Sequence, residues 1–536
     1  VNRSEHFRMA YLWAICLVAA MGGLLFGYDW VVINGAKMFY EKYFHLTTAY
    51  LEGWATSCAL VGCLVGSLMA GGLSDRYGRK RLLILAGLLF VATGVGVALS
   101  QGTAWLTGFT CFVIFRIAGG VGIGLASNIS PVYIAEISPA EVRGRLVSFN
   151  QLTIVIGVLL AQCANWAIGS HGDRIDARSL ASASPGSAVS RADFARAFLA
   201  KYGPRIPAGK VGDFMKKHEG SPTDETVLAF LKVNQIKLPA GYVEIAHRGG
   251  VPWNETCGWR WMFGAVTLPG LLFFLAMFAV PESPRWLVKN GRDARARGVL
   301  AKIGGAAFAE REVAEIKATL VNEVQKVDFR ELLHPRMRSI LALGVTLAVL
   351  QQCCGINCIF YYADKIFAAA GYEPSAILWN VMVVGGVNLV FTLLAIAAVD
   401  RLGRKILMLA GTVGLAICFS MLGAAYLAGA QGRSVLALIL AAMACYCCTL
   451  APITWVILSE IFPNRIRGAA MSVSVFSLWA ACFAVALLYP IVSERITLGG
   501  SFFGFGAICA CGFFYVLARL PETKGKTLEQ IERELT

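Results

Sequence analysis

Apolar residues fall along this chain in runs of about twenty, separated by connections that hold most of the charge. An α-helix rises 1.5 Å per residue, so about 20 apolar residues cross a hydrocarbon core about 30 Å thick. Runs at 10–34, 52–73, 82–100, 105–128, 147–168, 261–280, 339–360, 376–398, 406–428, 435–458, 469–491 and 499–519 predict twelve spanning helices in two groups of six. The fold class is an all-α membrane protein. Residues 1–168 carry helices 1–5 of an N-terminal half, and 259–280 carry its sixth. Residues 339–519 carry helices 7–12 of a C-terminal half, followed by a cytoplasmic tail at 520–536.

Two long segments interrupt the pattern. Residues 281–338 are basic and helix-compatible, a cytoplasmic linker of helices. Residues 169–258 form an extracytoplasmic insert longer than a connection needs. Within it, Ser190-Arg-Ala-Asp193 reads as a capping box opening a helix that stops near Gly203. Ser221-Pro222 opens a second, with Val227, Leu228, Phe230 and Leu231 as its apolar residues. A small helical lobe outside the membrane is expected.

Lys and Arg in short loops set orientation. Arg76, Arg79, Lys80 and Arg81 follow span 2, and Arg143 and Arg145 follow span 4. Arg401, Arg404 and Lys405 follow span 8, and Arg465 and Arg467 follow span 10. These loops share one side, the cytoplasmic one, and both termini lie with them. Arg3 and Arg8 precede a run too long for a cleavable signal, so span 1 is expected to stay.

Composition agrees. The chain is 57% hydrophobic and 15% charged, whereas a soluble domain carries about a quarter charged residues. The net charge of +15 suggests nucleic acid in isolation. Its confinement to loops between apolar runs removes that partner and leaves a lipid bilayer. All of the 16 Cys except Cys257 lie in or beside apolar runs, which argues against a disulfide framework. The clusters Cys353–Cys354–Cys358 and Cys445–Cys447–Cys448 lack the His, acidic or second-pair partners of a metal site. No metal or cofactor is expected. No phosphate-binding Gly-x-x-x-x-Gly-Lys-Ser/Thr loop and no Ser/His/Asp set points to an enzyme.

Three patterns occur twice in the same order. Asp75-Arg-Tyr-Gly-Arg-Lys80 returns as Asp400-Arg-Leu-Gly-Arg-Lys405. Glu136-Ile-Ser-Pro-Ala-Glu-Val-Arg-Gly144 returns as Glu460-Ile-Phe-Pro-Asn-Arg-Ile-Arg-Gly468. Pro281-Glu-Ser-Pro-Arg285 is echoed by Pro521-Glu-Thr-Lys-Gly525. Each lies at the cytoplasmic end of an equivalent span, so the halves are related repeats. Halves related by an axis along the membrane normal build major facilitator transporters, with substrate between them near the midplane. Acids contribute little to orientation, so the recurring acids need another role. Asp75, Glu136, Glu282, Asp400 and Glu460, with Arg79, Arg143, Arg285, Arg404 and Arg467, are expected to form a cytoplasmic gate. Pairs that exist only while that face is closed would favour the outward-open state.

Inside span 1, Leu24-Leu-Phe-Gly-Tyr-Asp29 places a carboxylate in an apolar run. An acid at a membrane helix centre costs about 2.5–3.5 kcal/mol on insertion scales. Arg116, likewise set in an apolar run of span 4, is the natural partner. A structural ion pair is one reading. A proton switch is the other, in which a protonated Asp29 releases Arg116 and spans 1 and 4 rearrange.

The chain resembles the sugar porter family of the major facilitator superfamily, including its bacterial proton-coupled xylose and hexose symporters. The resemblance covers nearly all of the chain except the insert. It is carried most specifically by Pro281-Glu-Ser-Pro-Arg285, Gln351-Gln352 with Gly355-Ile-Asn357, and Pro521-Glu-Thr-Lys524. It implies a twelve-helix major facilitator fold in the plasma membrane, here a bacterial inner membrane. It implies import of a monosaccharide, a pentose or hexose such as xylose or glucose, with a proton by alternating access. A facilitative uniporter and a transporter-like sugar sensor are the alternatives. Proton-coupled members carry Asp within a motif like Gly27-Tyr28-Asp29, and many uniporters carry Asn.

Residue by residue, the resemblance implies sugar contacts at Gln151 in span 5, Gln351, Gln352 and Asn357 in span 7, and Asn388 in span 8. It adds Trp455 and Trp479 of spans 10 and 11, and Phe26 as an aromatic wall in span 1. The chemistry fits. Amides donate to and accept from hydroxyls, and an indole packs on a sugar's C–H face while its N–H donates. A buried amide without a partner is costly, so five of them in three apolar spans suggest a shared polar cavity. Gly355 would let span 7 break and turn backbone groups towards it. Leu478 replaces an amide found in several relatives, and Ala451 replaces a common Gly, both beside the sugar. Trp30 receives no role from the sequence.

Overall fold

The computed structural model describes residues 7–101, 106–181, 252–322, 334–462 and 467–523. The N-terminal half is built from α1 (Met9–Tyr43), α2 (Ala49–Tyr77), α3 (Arg79–Ala98), α4 (Gly108–Ile137) and α5 (Ala140–Ala181). A π-helical turn, Asn254–Gly258, leads into α6 (Trp259–Gly264) and α7 (Thr267–Ala279), which together make its sixth crossing. The linker holds α8 (Pro284–Lys289) and α9 (Asp293–Asn322), the latter kinked at Gly305. The C-terminal half is α10 (Pro335–Cys353), α11 (Ile356–Ala369), α12 (Pro374–Leu402), α13 (Arg404–Leu427), α14 (Arg433–Cys448), α15 (Leu450–Ile461) and α16 (Arg467–Arg519).

Eleven helical stretches among the described residues are long and apolar enough to cross a membrane. One of them, α16, makes two crossings. Its 53 residues would run about 80 Å if straight. Thr497 instead adopts φ 64°, and the rings of Tyr489 and Phe505 lie 6.1 Å apart. Sixteen residues of continuous helix would separate them by about 24 Å, so the two limbs fold back on each other. The twelve predicted crossings are thereby accounted for.

Two predicted spans are interrupted. Span 7 breaks at Gly355, whose φ of 95° is left-handed backbone that glycine adopts without a Cβ penalty. Span 10 breaks at Thr449 (φ −130°, ψ −92°), three residues before Pro452, whose ring cannot sit over a preceding helical carbonyl. The predicted helices near Ser190 and Ser221 lie outside the described residues. The fifth helix continues past the predicted boundary at 168, to Ala181.

Small residues set the packing within the N-terminal half. A Cβ on Gly27 would fall 1.9 Å from the Ile154 carbonyl oxygen, and one on Gly157 would fall 2.0 Å from that of Leu24. The α1 and α5 backbones therefore touch two residues before Asp29. In lipid, where hydrophobic driving force between helices is absent, such close approach supplies the packing energy.

The repeated motifs build the same hydrogen-bond and ion-pair network in each half. Glu282 accepts from the N–H groups of Arg79 (2.9 Å) and Lys80 (3.1 Å), the first residues of α3. Glu522 accepts from those of Arg404 (3.0 Å) and Lys405 (3.2 Å), the first of α13. A carboxylate at a helix N-terminus satisfies orphan donors and opposes the helix dipole. Arg79 pairs with Glu136 at 2.9 Å, and Arg404 with Glu460 at 3.1 Å. Ser283 Oγ donates to Glu136, and Thr523 Oγ1 to Glu460, each at 2.6 Å. Asp75 bridges Arg79 (3.2 Å) and Lys289 (2.9 Å).

Candidate functional site

Gln351 and Gln352 end α10, and Asn357 opens α11, so the Gly355 break brings three amides together. Gln352 Nε2 donates to Gln351 Oε1 at 2.9 Å, and Asn357 Nδ2 donates to Gln352 Oε1. Gln351 Nε2 reaches the Ala451 carbonyl, just past the span 10 break, at 3.3 Å. All three are at least nine-tenths buried. Asn357 Oδ1 has no hydrogen-bond partner among the described residues.

Cys482 Sγ lies 3.8 Å from both Asn357 Nδ2 and the Tyr361 hydroxyl, which sets an aromatic cluster drawn from both halves beside the amides. Phe26 meets Trp479 at 5.8 Å in an edge-on arrangement. Trp30 lies 5.9 Å from Phe26, 5.3 Å from Phe360 and 6.1 Å from Tyr361, and its Nε1 donates to the Tyr361 hydroxyl. Trp30 thus joins α1 of one half to α11 of the other. The sequence reading left it without a role, because its partners lie about 330 residues away in the chain.

Other predicted residues stand apart from this cluster. Asn388 accepts from Thr392 Oγ1 (3.3 Å) and Cys447 Sγ (3.0 Å), both in its own half. Trp455 is 37% exposed, and Gln151 is half-buried. Neither makes a hydrogen bond with another described residue. Ala451 contributes its carbonyl rather than its methyl group, and Leu478 is buried beside Trp479. Gln162 was missed by sequence reasoning. It is buried, and its Oε1 sits 1.7 Å from where a Cβ on Gly385 would fall, so α5 meets α12 through a glycine that leaves room for the amide.

Asp29 and Arg116 are both fully buried, and Arg116 Nη1 lies 2.9 Å from Asp29 Oδ1. The guanidinium also faces the Phe263 ring at 5.2 Å. Asp29 Oδ2 has no hydrogen-bond partner among the described residues, so one carboxylate oxygen is held and the other is not. The pair ties α1 to α4, and Trp30 follows Asp29 directly in the chain.

The expected cytoplasmic gate residues pair differently from a closure between halves. Arg79–Glu136 and Arg404–Glu460 each join residues of one half, and Asp75–Lys289 joins α2 to the linker helix α8. Glu282 caps a helix, Arg143 Nε donates to the Ser138 carbonyl at 3.3 Å, and Arg285 lies in the first turn of α8. The side chains of Asp400 and Arg467 lie outside the described residues. The halves do meet on the opposite side, through Trp30 and Tyr361, through Trp166 and Trp379 at 5.5 Å, and through Gly53 against the Leu487 backbone.

The family described as "Sugar (and other) transporter" matches residues 15–180 and 244–535. The chain is 34% identical to the D-xylose-proton symporter of Escherichia coli strain K12, over 99% of this chain and 96% of that protein. It is 32% identical to the arabinose-proton symporter of Bacillus subtilis strain 168, with the same coverage. A partially occluded, inward-open structure of the E. coli xylose transporter XylE superposes with TM-score 0.74 at 32% identity, covering 97% of this chain and all of that one.

Proposed function

This chain belongs to the sugar transporter family, and from that premise we propose that it imports a monosaccharide, a pentose or hexose such as xylose or glucose, with a proton. It is a multi-pass membrane protein and not an enzyme. The proposed setting is a bacterial inner membrane with both termini in the cytoplasm, following the Lys and Arg bias of the loops.

The observation that carries the reading is the adjacency of Asp29 and Trp30. One places a buried, half-satisfied carboxylate against Arg116, and the other closes the aromatic and amide cluster from above. Sugar hydroxyls would bond the Gln351, Gln352 and Asn357 amides, with Gln151, Asn388 and Trp455 joining as the halves close. Trp479 and Phe26 would pack on the C–H faces. Ionised, Asp29 holds Arg116 and keeps α1 on α4. A proton arriving at Oδ2 neutralises the carboxyl, weakens that hold, and lets α1 shift. Trp30 moves with α1 away from Tyr361, and the extracytoplasmic side opens. Closing around sugar, then losing the proton to the cytoplasm, completes one cycle.

Coupling gives the cycle a direction. One proton moving through 100 mV releases about 2.3 kcal/mol. At about 1.4 kcal/mol per factor of ten, this sustains roughly fifty-fold accumulation of a neutral sugar. The test is sugar-induced alkalinisation of an unbuffered suspension of de-energised cells. A pH rise on adding a transported sugar is expected; uptake without one identifies a uniporter.

A further inference from the structure

Eight residues beyond Asp29 on α1, Lys37 is completely buried although it lies in a stretch that the hydrophobic pattern leaves at a helix end. Its Nζ is 2.7 Å from Glu52 Oε1 on α2, 3.6 Å from Asp364 Oδ1 on α11 and 3.6 Å from Glu41 Oε1 on α1. It also sits 3.8 Å above the centre of the Tyr362 ring on α11. Lys365 of α11 reaches back to the other oxygen of Glu52. The Tyr362 hydroxyl in turn donates to the Ala486 carbonyl on α16.

The cluster is split between the halves. Lys37, Glu41 and Glu52 belong to the N-terminal half, and Tyr362, Asp364 and Lys365 to the C-terminal half. Lys37–Asp364, Lys37–Tyr362 and Lys365–Glu52 all cross the interface. A cluster that merely stabilised one half would be complete with Lys37, Glu41 and Glu52. The partners on α11 come from the body that must part from α1 and α2 when the extracytoplasmic side opens. All of them lie beyond Trp30 and Tyr361, so they form a second, outer layer of closure.

We infer that Lys37, Glu52, Asp364 and Lys365 are positioning residues for transport. They form an electrostatic latch that clamps α11 over the substrate site and sets the orientation in which the empty carrier rests. The inference rests on the transport reading. The latch is reversible because opening floods the cluster, and water then solvates each charge that loses its partner. In the closed state, removing one partner leaves the others buried and uncompensated, whereas removing both members of a pair is close to neutral. The latch therefore responds to single and double substitutions with opposite consequences.

Lys37→Met strands Asp364 in the closed state and leaves Glu52 to Lys365 alone, and the carrier turns outward. The population ratio shifts about tenfold, which lowers the KM for sugar entering from outside and raises it for sugar leaving. Lys37→Met combined with Asp364→Asn removes the orphaned acid on α11 and returns the KM ratio towards the parent value. Lys37→Arg keeps the charge and the ratio. Hydrogen–deuterium exchange on detergent-solubilised full-length protein gives a readout independent of transport. The single variant gains exchange in 30–43 and 356–369 and loses it at the cytoplasmic ends of α4 and α10, because the cytoplasmic face closes as the other opens. A variant that gains exchange throughout, or leaves both the KM ratio and the exchange pattern unchanged, overturns the latch. So does a double variant that shifts further than the single one. A parent protein that carries no monosaccharide in proteoliposomes refutes the transport reading alone, and the reciprocal exchange pattern still decides the latch.

Discussion

The indole N–H of Trp30 on α1 donates to the hydroxyl of Tyr361 on α11, a hydrogen bond between the two halves one residue beyond the buried acid. Trp30→Phe keeps an aromatic ring and deletes the donor. A net hydrogen bond is worth about 0.5–1.5 kcal/mol, so the outward-facing population should rise roughly two- to tenfold. Half-saturation for external sugar would fall accordingly. Tyr361→Phe should match it, and the double variant should add little. Additive effects would mean that the two side chains act separately.

The amide relay makes a graded prediction. Gln352 stands in its middle, and Gln352→Ala removes the side-chain partners of Gln351 Oε1 and Asn357 Nδ2. Each buried orphan costs about 1–3 kcal/mol, so sugar affinity measured calorimetrically should weaken roughly ten- to a hundredfold. Asn388→Ala should cost less, because its amide is engaged by Thr392 and Cys447 within its own half. The reverse order would move the binding site towards α12.

Much of this was readable in the sequence. Span positions followed from run length, and the repeat followed from three ordered motifs whose contacts turn out to be the same in each half. The Asp29–Arg116 contact was readable because both charges stand in apolar runs of neighbouring spans. What escaped was whatever depends on the other half. Lys37 lies just past the end of the run predicted at 10–34, where a charge is ordinary; its burial follows from Glu52 on α2 and from Asp364 and Tyr362 on α11, more than 300 residues on. Trp30 escaped for the same reason. The break at Thr449 depends on a proline three residues later and on packing that single-residue propensities do not record. Motif recurrence showed that the repeated acids need partners; that Glu136 and Glu460 find theirs inside their own half, and Asp75 partly in the linker, needed the structure.

The repeated cytoplasmic pairs should behave as structural equivalents. Glu136→Gln and Glu460→Gln each weaken a charge-assisted bond worth about 1.5–3 kcal/mol, so both lower the thermal midpoint in detergent. Glu136→Gln should lower it more, because the Glu136 side chain is 10% exposed and that of Glu460 is 23%. Unchanged midpoints would leave the pairs to a purely conformational role.

Gly355→Ala tests the break in span 7. Left-handed backbone costs a residue with a Cβ about 1–2 kcal/mol. The added Cβ would also come 2.5 Å from Phe505 Cγ. Sugar affinity should fall together with stability, since the same break aligns Gln351, Gln352 and Asn357. Unchanged affinity would separate the break from the site.

The central claim is that Asp29 is the coupling proton's site rather than a structural partner of Arg116. The direct measurement is Asp29→Asn in proteoliposomes, comparing sugar accumulation driven by an imposed proton gradient with sugar exchange at equilibrium. Accumulation should disappear while exchange and sugar binding persist, because an amide still bonds Arg116 but cannot carry a proton. Loss of exchange and binding along with accumulation would contradict the account and leave Asp29–Arg116 a structural ion pair.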